Sequence, residues 1–77
     1  MEIKVLGTGC ATCSTLEKRV RKVVQENSID ATVIYEQDLV KIMGYKIMVT
    51  PAMVIDEKVV VKGRVPSEKE ILELIKS

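Results

Sequence analysis

The chain has 77 residues, of which 47% are hydrophobic and 30% are charged, and its formal net charge is +1. This length suits one compact domain over residues 1–77 and leaves no room for a second module. The near-neutral charge and an aromatic content of 3% argue against a nucleic acid partner, because such partners need basic surfaces and stacking platforms. No leader peptide or long apolar run is visible, so we expect a cytoplasmic protein without a membrane partner.

The first half of the chain predicts a strand, a long helix and a second strand. Ile3 and Val5 suit a short strand, which Gly7-Thr8-Gly9 ends in a loop. Over 11–26 the apolar residues recur at helical spacing, and charged residues take the opposite face. The β-branched run over 31–35 predicts the second strand.

A short helix and a hairpin are predicted next. Asp38 is suited to cap a helix that Gly44 would end. Two apolar runs over 52–55 and 59–61, joined by Asp56-Glu57-Lys58, predict a hairpin whose turn lacks the usual glycine.

The last segment predicts a helix with its own cap. Ser67-Glu68-Lys69-Glu70 has the pattern of a capping box and precedes a run of apolar residues that begins at Ile71. The predicted element order of the whole chain is therefore βαβαββα.

Both cysteines of the chain lie in Cys10-Ala11-Thr12-Cys13, directly after the glycine loop. In the cytoplasm a structural disulfide is usually reduced, which favours redox chemistry or metal binding for such a pair. The N–H groups and dipole of a helix N-terminus lower the pKa of a nearby thiol. The placement of the motif at a helix start therefore favours thiol-disulfide exchange over two buried structural cysteines.

The cysteine motif, Thr50-Pro51 before the hairpin and Gly63 before the last helix together resemble the thioredoxin superfamily over essentially the full chain. The chain looks like a glutaredoxin-sized redox protein of archaeal or bacterial type. This resemblance implies an α/β, thioredoxin-like fold with a four-stranded mixed sheet flanked by helices. It also implies a monomeric thiol-disulfide oxidoreductase with an electron-transport role, whose redox-active disulfide is its own Cys10–Cys13 pair and which needs no cofactor.

The same resemblance assigns roles to individual residues. Cys10 would be the attacking thiolate, Cys13 would resolve the mixed disulfide, and Pro51 would be a cis proline that faces both. The implied substrate-binding surface comprises Thr12, Met48, Thr50, Pro51, Gly63 and Arg64. The implied partners are a protein disulfide and a reductase, thioredoxin-reductase-like or other.

Several residues differ from the family's pattern. Gly9 replaces the usual tryptophan before the first cysteine, Ala11-Thr12 replaces Gly-Pro, and Lys4 lies in the first strand, where thioredoxins carry a buried carboxylate. Arg64-Val65-Pro66 replaces a glutathione-binding Gly-Gly-x-Asp segment. The sequence therefore leaves the use of glutathione and the proton acceptor of the second thiol open.

An alternative function is a copper carrier. The loop over 7–13 is also similar to the Gly-Met-x-Cys-x-x-Cys loop of heavy-metal-associated domains, where two thiolates bind a soft ion. Those domains end on a strand and have methionine where this chain has Thr8. A zinc site would need two further ligands in a chain without histidine. We therefore expect no bound metal, and we interpret Met43, Met48 and Met53 as core residues.

Overall fold

The computed structural model describes residues 1–9, 11–47 and 49–76. The element order is βαβαββα, as predicted from the sequence. The elements are β1 (Glu2–Leu6), α1 (Ala11–Glu26), β2 (Thr32–Glu36), α2 (Leu39–Met43), β3 (Ala52–Ile55), β4 (Lys58–Lys62) and α3 (Glu68–Lys76). No helix in these described ranges is long and apolar enough to cross a membrane.

The four strands form one mixed sheet in the order β2-β1-β3-β4. β1 pairs in parallel with β2 and antiparallel with β3, and β3 pairs antiparallel with β4. The predicted α/β fold with a four-stranded mixed sheet is therefore confirmed. Because β1 is an inner strand, the loop that follows its carboxyl end begins near the middle of that end of the sheet.

Helices cover both faces of the sheet. Ile3 and Val5 of β1 point to one face, where they pack with apolar residues of α1 and α3. Leu6 points to the opposite face, where it packs with Ile42 of α2. Alternate residues of a strand face opposite sides of the sheet, so β1 contributes to both apolar cores.

The hairpin turn is tighter than the sequence suggests. Lys58 already belongs to β4 and pairs with Ile55, which leaves only Asp56 and Glu57 in the turn, with φ of +47° and +70°. Two-residue turns of this kind need positive φ at both positions and usually contain glycine. Here Asp56 is held by Glu2, whose N–H donates to the Asp56 carboxylate at 2.9 Å and whose carbonyl accepts from the Asp56 N–H at 2.9 Å.

The methionines differ in their surroundings. Met53 is fully buried in the core, as expected, whereas Met43 is 62% exposed, so its interpretation as a core residue was wrong. The reason is that Ile42 is the residue of α2 that turns towards the sheet. Met48 lies outside the described residues.

Candidate redox site

Cys13 lies in the first turn of α1 and has no solvent-exposed surface. A large substrate cannot reach a sulfur in this position directly. The other cysteine of the motif, Cys10, lies outside the described residues, as does Met48. The described site is therefore built around Cys13, the glycine loop before it and the segments that surround them.

Gly7 is part of this site, although the sequence analysis treated it only as a strand terminator. A Cβ on Gly7 would overlap with the side chain of Cys13, at 2.5 Å from its Cβ. The Gly7 N–H donates to the Glu36 carbonyl at 3.0 Å, which holds the start of the loop against the end of β2. The only feature of the sequence that could have indicated this contact is the presence of a glycine where a buried strand meets the cysteine loop.

The segment before β3 and the segment after β4 also meet. The Thr50-Pro51 peptide bond is cis, as predicted, and Pro51 is buried. The Gly63 N–H donates to the Pro51 carbonyl at 2.8 Å. Gly63 has a φ of +76°, and a Cβ there would lie 2.9 Å from Val49 Cγ1. The structure therefore brings together three of the predicted substrate-binding residues, Thr50, Pro51 and Gly63.

Two other predicted substrate-binding residues lie on the surface. Thr12 is exposed at the start of α1. Arg64 is exposed but its guanidinium is paired with the Glu70 carboxylate of α3, with one of the two hydrogen bonds at 2.9 Å. This pairing raises the pKa of Arg64 and lowers that of Glu70, since each charge stabilises the other. A partner carboxylate would have to compete with Glu70 for Arg64.

Lys4 does not supply the missing proton acceptor. Its ammonium donates to the Tyr45 hydroxyl at 2.7 Å and to the Glu57 carboxylate at 3.1 Å. The hydrogen bonds to Tyr45 and then to Glu57 raise the pKa of Lys4, so the group stays protonated and cannot act as a base. Within the described ranges no polar or charged residue is buried in the core, so the described residues provide no buried carboxylate that could take the proton of Cys13.

An apolar pocket adjoins the cysteine loop, and we call it the α2 pocket. Its volume is about 270 Å³. It is lined by Thr8, Leu39, Ile42, Met43, Ile47 and Thr50. Thr8 belongs to the loop that leads to the cysteines, and Thr50 forms the cis bond with Pro51. Sequence reasoning missed this pocket because residues from three separate segments form it.

A larger pocket of about 620 Å³ lies around Lys4, Tyr45 and Glu57. Among the described residues, those that line it include none from the cysteine loop or from the Thr50-Pro51 segment. The volume of a pocket alone therefore does not identify the redox site of this protein. Among the described residues there is also no group of three or more histidine, cysteine or acidic side chains arranged to hold a metal ion.

Comparison with known proteins agrees with the geometry. The family model for the thioredoxin domain matches residues 1–76. A thioredoxin from Methanocaldococcus jannaschii is 37% identical over 75 residues, which cover 97% of this chain and 86% of that protein. A thioredoxin from Methanothermobacter thermautotrophicus is 35% identical over 75 residues, which cover 97% of both chains. The chain therefore belongs to the thioredoxin domain family and is a thiol-disulfide oxidoreductase.

Proposed function

We propose that the chain reduces disulfides in partner proteins and cycles between a Cys10/Cys13 dithiol and an intramolecular disulfide. It would act as a single-domain, cytoplasmic monomer without a metal or other cofactor. The observation that carries this proposal is the complete burial of Cys13 in the first turn of α1. A buried cysteine is poorly placed for first attack on a protein, but it is well placed to resolve a mixed disulfide formed by its neighbour in the motif.

The proposed reaction has two exchange steps. The Cys10 thiolate attacks one sulfur of the substrate disulfide, which forms a mixed disulfide and releases the other substrate sulfur as a thiolate. The Cys13 thiolate then attacks the Cys10 sulfur, which closes the intramolecular disulfide and releases the second substrate thiolate. Both released thiolates take up protons, so the substrate gains two electrons and two protons while the cysteine pair is oxidised.

A reductase must return the pair to the dithiol. A thioredoxin-reductase-like protein or another dithiol reductase would supply the two electrons by the reverse exchange. The helix N-terminus favours the attacking thiolate, because free N–H groups and the helix dipole stabilise negative charge there. The residues Thr12, Met48, Thr50, Pro51, Gly63 and Arg64 remain our proposed substrate-binding set.

The division of labour between the thiols can be tested with single serine variants and insulin as the protein disulfide. Cys13→Ser should accumulate a mixed disulfide with the substrate, while Cys10→Ser should form almost none. Mass spectrometry of the acid-quenched reaction measures both, and the double serine variant is the negative control. If Cys10→Ser forms the adduct and Cys13→Ser does not, the roles are reversed. If neither variant forms an adduct and the wild type does not reduce insulin, the protein-disulfide function is wrong.

A further inference from the structure

The sheet of the described residues has two edge strands, β2 and β4, which differ in how well they are protected against pairing. β4 begins and ends with lysine, and its pairing with β3 is interrupted by a register shift. Lysines and irregular pairing are devices that keep other strands from adding to an edge. β2 contains no lysine, proline or glycine and pairs with β1 without interruption from Thr32 to Glu36. We call the outer side of this strand the β2 edge.

The backbone groups that face outwards on the β2 edge belong to alternate residues of the strand. The Thr32 N–H donates to the Met1 carbonyl at 3.0 Å, and the Glu36 carbonyl accepts from the loop after β1, also at 3.0 Å. Because backbone groups alternate in direction along a strand, those of Val33 and Tyr35 point away from β1. The β2 edge therefore offers the N–H donors and the carbonyl acceptors of both residues to an added strand.

Acidic residues lie at both ends of the β2 edge. Asp30 precedes β2, Glu36 is its last residue and Asp38 follows it, and no lysine or arginine occurs over 30–38. The Glu36 carboxylate lies 3.8 Å from the Lys41 ammonium, which leaves the exposed Asp30 and Asp38 as the main flanking charges. Opposite charges on neighbouring strands attract, so the β2 edge suits a segment with basic residues at its ends.

The carboxyl end of the β2 edge adjoins the redox site. The Glu36 carbonyl accepts the hydrogen bond from Gly7, and Gly7 packs against Cys13. An extended segment along the β2 edge would therefore have one end beside the cysteine loop. The same partner chain could supply both the added strand and the disulfide.

The β2 edge of a second copy is poorly suited to this edge. Antiparallel pairing of Val33 with Tyr35 of the second copy would bring Asp30 close to Asp38 of that copy at both ends. Like charges directly opposite one another destabilise a strand pair. The charge pattern therefore favours a different, basic-flanked segment.

We propose that the β2 edge binds an extended segment of the protein substrate by strand addition. The segment has basic residues at its ends and uncharged, β-branched or aromatic residues between them. Hydrogen bonds to the backbone of Val33 and Tyr35 supply affinity, as in other cases of strand addition, and the flanking charges supply selectivity. This inference rests on the proposed protein-disulfide function.

The test uses two cysteine-free peptides, so that binding is measured apart from disulfide exchange. Both have the core Thr-Val-Thr-Val, flanked by lysine in one peptide and by glutamate in the other. At a concentration about ten times its Kd, the lysine peptide should slow hydrogen exchange at the Val33 and Tyr35 amides about tenfold. Exchange at the Ile34 amide, which faces β1, should change far less. The lysine peptide with an N-methylated core is the negative control, because it lacks the core donors.

Asp30→Lys reverses one flanking charge and leaves the strand itself unchanged. It should weaken binding of the lysine peptide about threefold and strengthen binding of the glutamate peptide by a similar factor. Glu73→Lys is the matched control, because it makes the same charge change at an exposed position of α3. This control should leave the ratio of the two Kd values as in the wild type.

Unchanged exchange at Val33 and Tyr35 in the presence of the lysine peptide would overturn the inference, and so would an unchanged Kd ratio in Asp30→Lys. Insulin reduction by the same wild-type sample tests the proposed function separately. Reduction of insulin without peptide binding overturns the role of the β2 edge alone. Peptide binding without insulin reduction overturns the protein-disulfide function, and with it the assignment of the bound segment to a substrate.

The β4 strand of a second copy is the competing occupant, because lysine stands at both of its ends. Its irregular pairing with β3 makes it a poor strand to add. Sedimentation equilibrium without peptide distinguishes this case, and we expect the wild type to be monomeric. Self-association that Asp30→Lys abolishes would show that the β2 edge joins copies of the chain, and it would contradict the proposal of a substrate segment.

Discussion

The backbone of Gly7 packs directly against the side chain of Cys13, so closely that even a methyl group at position 7 would overlap with it. Gly7 directly follows the inner strand β1, and Cys13 lies in the first turn of α1. The contact between these two residues thus holds the end of the central strand β1 against the start of α1. Changes on either side of this contact should affect both stability and thiol chemistry.

Gly7→Ala should destabilise the protein by about 1–3 kcal/mol, the usual cost of forcing an extra methyl group into a packed site. Gly44→Ala is a suitable control, because Gly44 has a helical φ of −61° and a Cβ there meets no atom closer than 3.1 Å. Its effect should stay within about 1 kcal/mol. Urea denaturation of both variants measures the difference, and equal unfolding free energies would show that Cys13 moves aside at little cost.

Gly63→Ala should be destabilising for two separable reasons. A positive φ costs a non-glycine residue about 1–2 kcal/mol, and the new Cβ would lie 2.9 Å from Val49 Cγ1. Val49→Ala removes the clashing methyl group and leaves the Val49 Cβ at an ordinary 3.7 Å. Gly63→Ala should therefore cost less in the Val49→Ala background, by about 0.5 kcal/mol or more. Strictly additive effects in the four-protein cycle would contradict the steric part and leave only the backbone strain.

The Lys4–Tyr45–Glu57 network should make stability depend on pH at the acidic end. The hydrogen bond from Lys4, more than that from Tyr45, lowers the pKa of Glu57 below its ordinary value of 4.5. A carboxyl group whose pKa is lower in the folded state stabilises the fold above its unfolded pKa and loses this contribution as pH falls through the folded value. Lys4, whose pKa is raised above 10.5, retains its contribution throughout this range and loses it only at strongly alkaline pH.

Glu57→Gln, which keeps the size of the side chain, should thus be less stable than the wild type near pH 7, and the difference should shrink by about pH 3. Lys4→Met should have the same effect on the pH dependence, because it removes the donor that lowers the Glu57 pKa. The midpoints of urea unfolding, measured for each protein across this pH range, test the prediction. A difference between wild type and Glu57→Gln that stays constant down to about pH 3 would show that the pair does not stabilise the fold.

Metal removal should leave the activity unchanged. A copper carrier would hold Cu(I) on its two thiolates under reducing conditions, whereas an exchange protein must pass reversibly between dithiol and disulfide. Metal-free protein titrated in glutathione buffers should show one two-electron transition, and a Cu(I) chelator should not change the rate of insulin reduction. A protein that resists oxidation, and that transfers bound Cu(I) to an acceptor, would support the copper carrier instead.

The element order follows from local patterns in the sequence. Helical spacing over 11–26, the β-branched second strand and the capping box before α3 each depend on residues within a few positions of one another. The Ser67 hydroxyl does accept a hydrogen bond from the Glu70 N–H, at 3.2 Å. The cysteine motif is local as well, so the family could be recognised before the fold was known.

Only the tertiary structure decided which residues of different elements meet. The contact of Gly7 with Cys13, the hydrogen bond between Pro51 and Gly63, and the tight turn at Asp56 all depend on how strands pair and on which face a residue occupies. The exposure of Met43 has the same origin, since a five-residue helix can bury only one narrow side against the sheet. Sequence periodicity predicts that an amphipathic element exists, but packing between remote elements determines which of its apolar residues are left exposed.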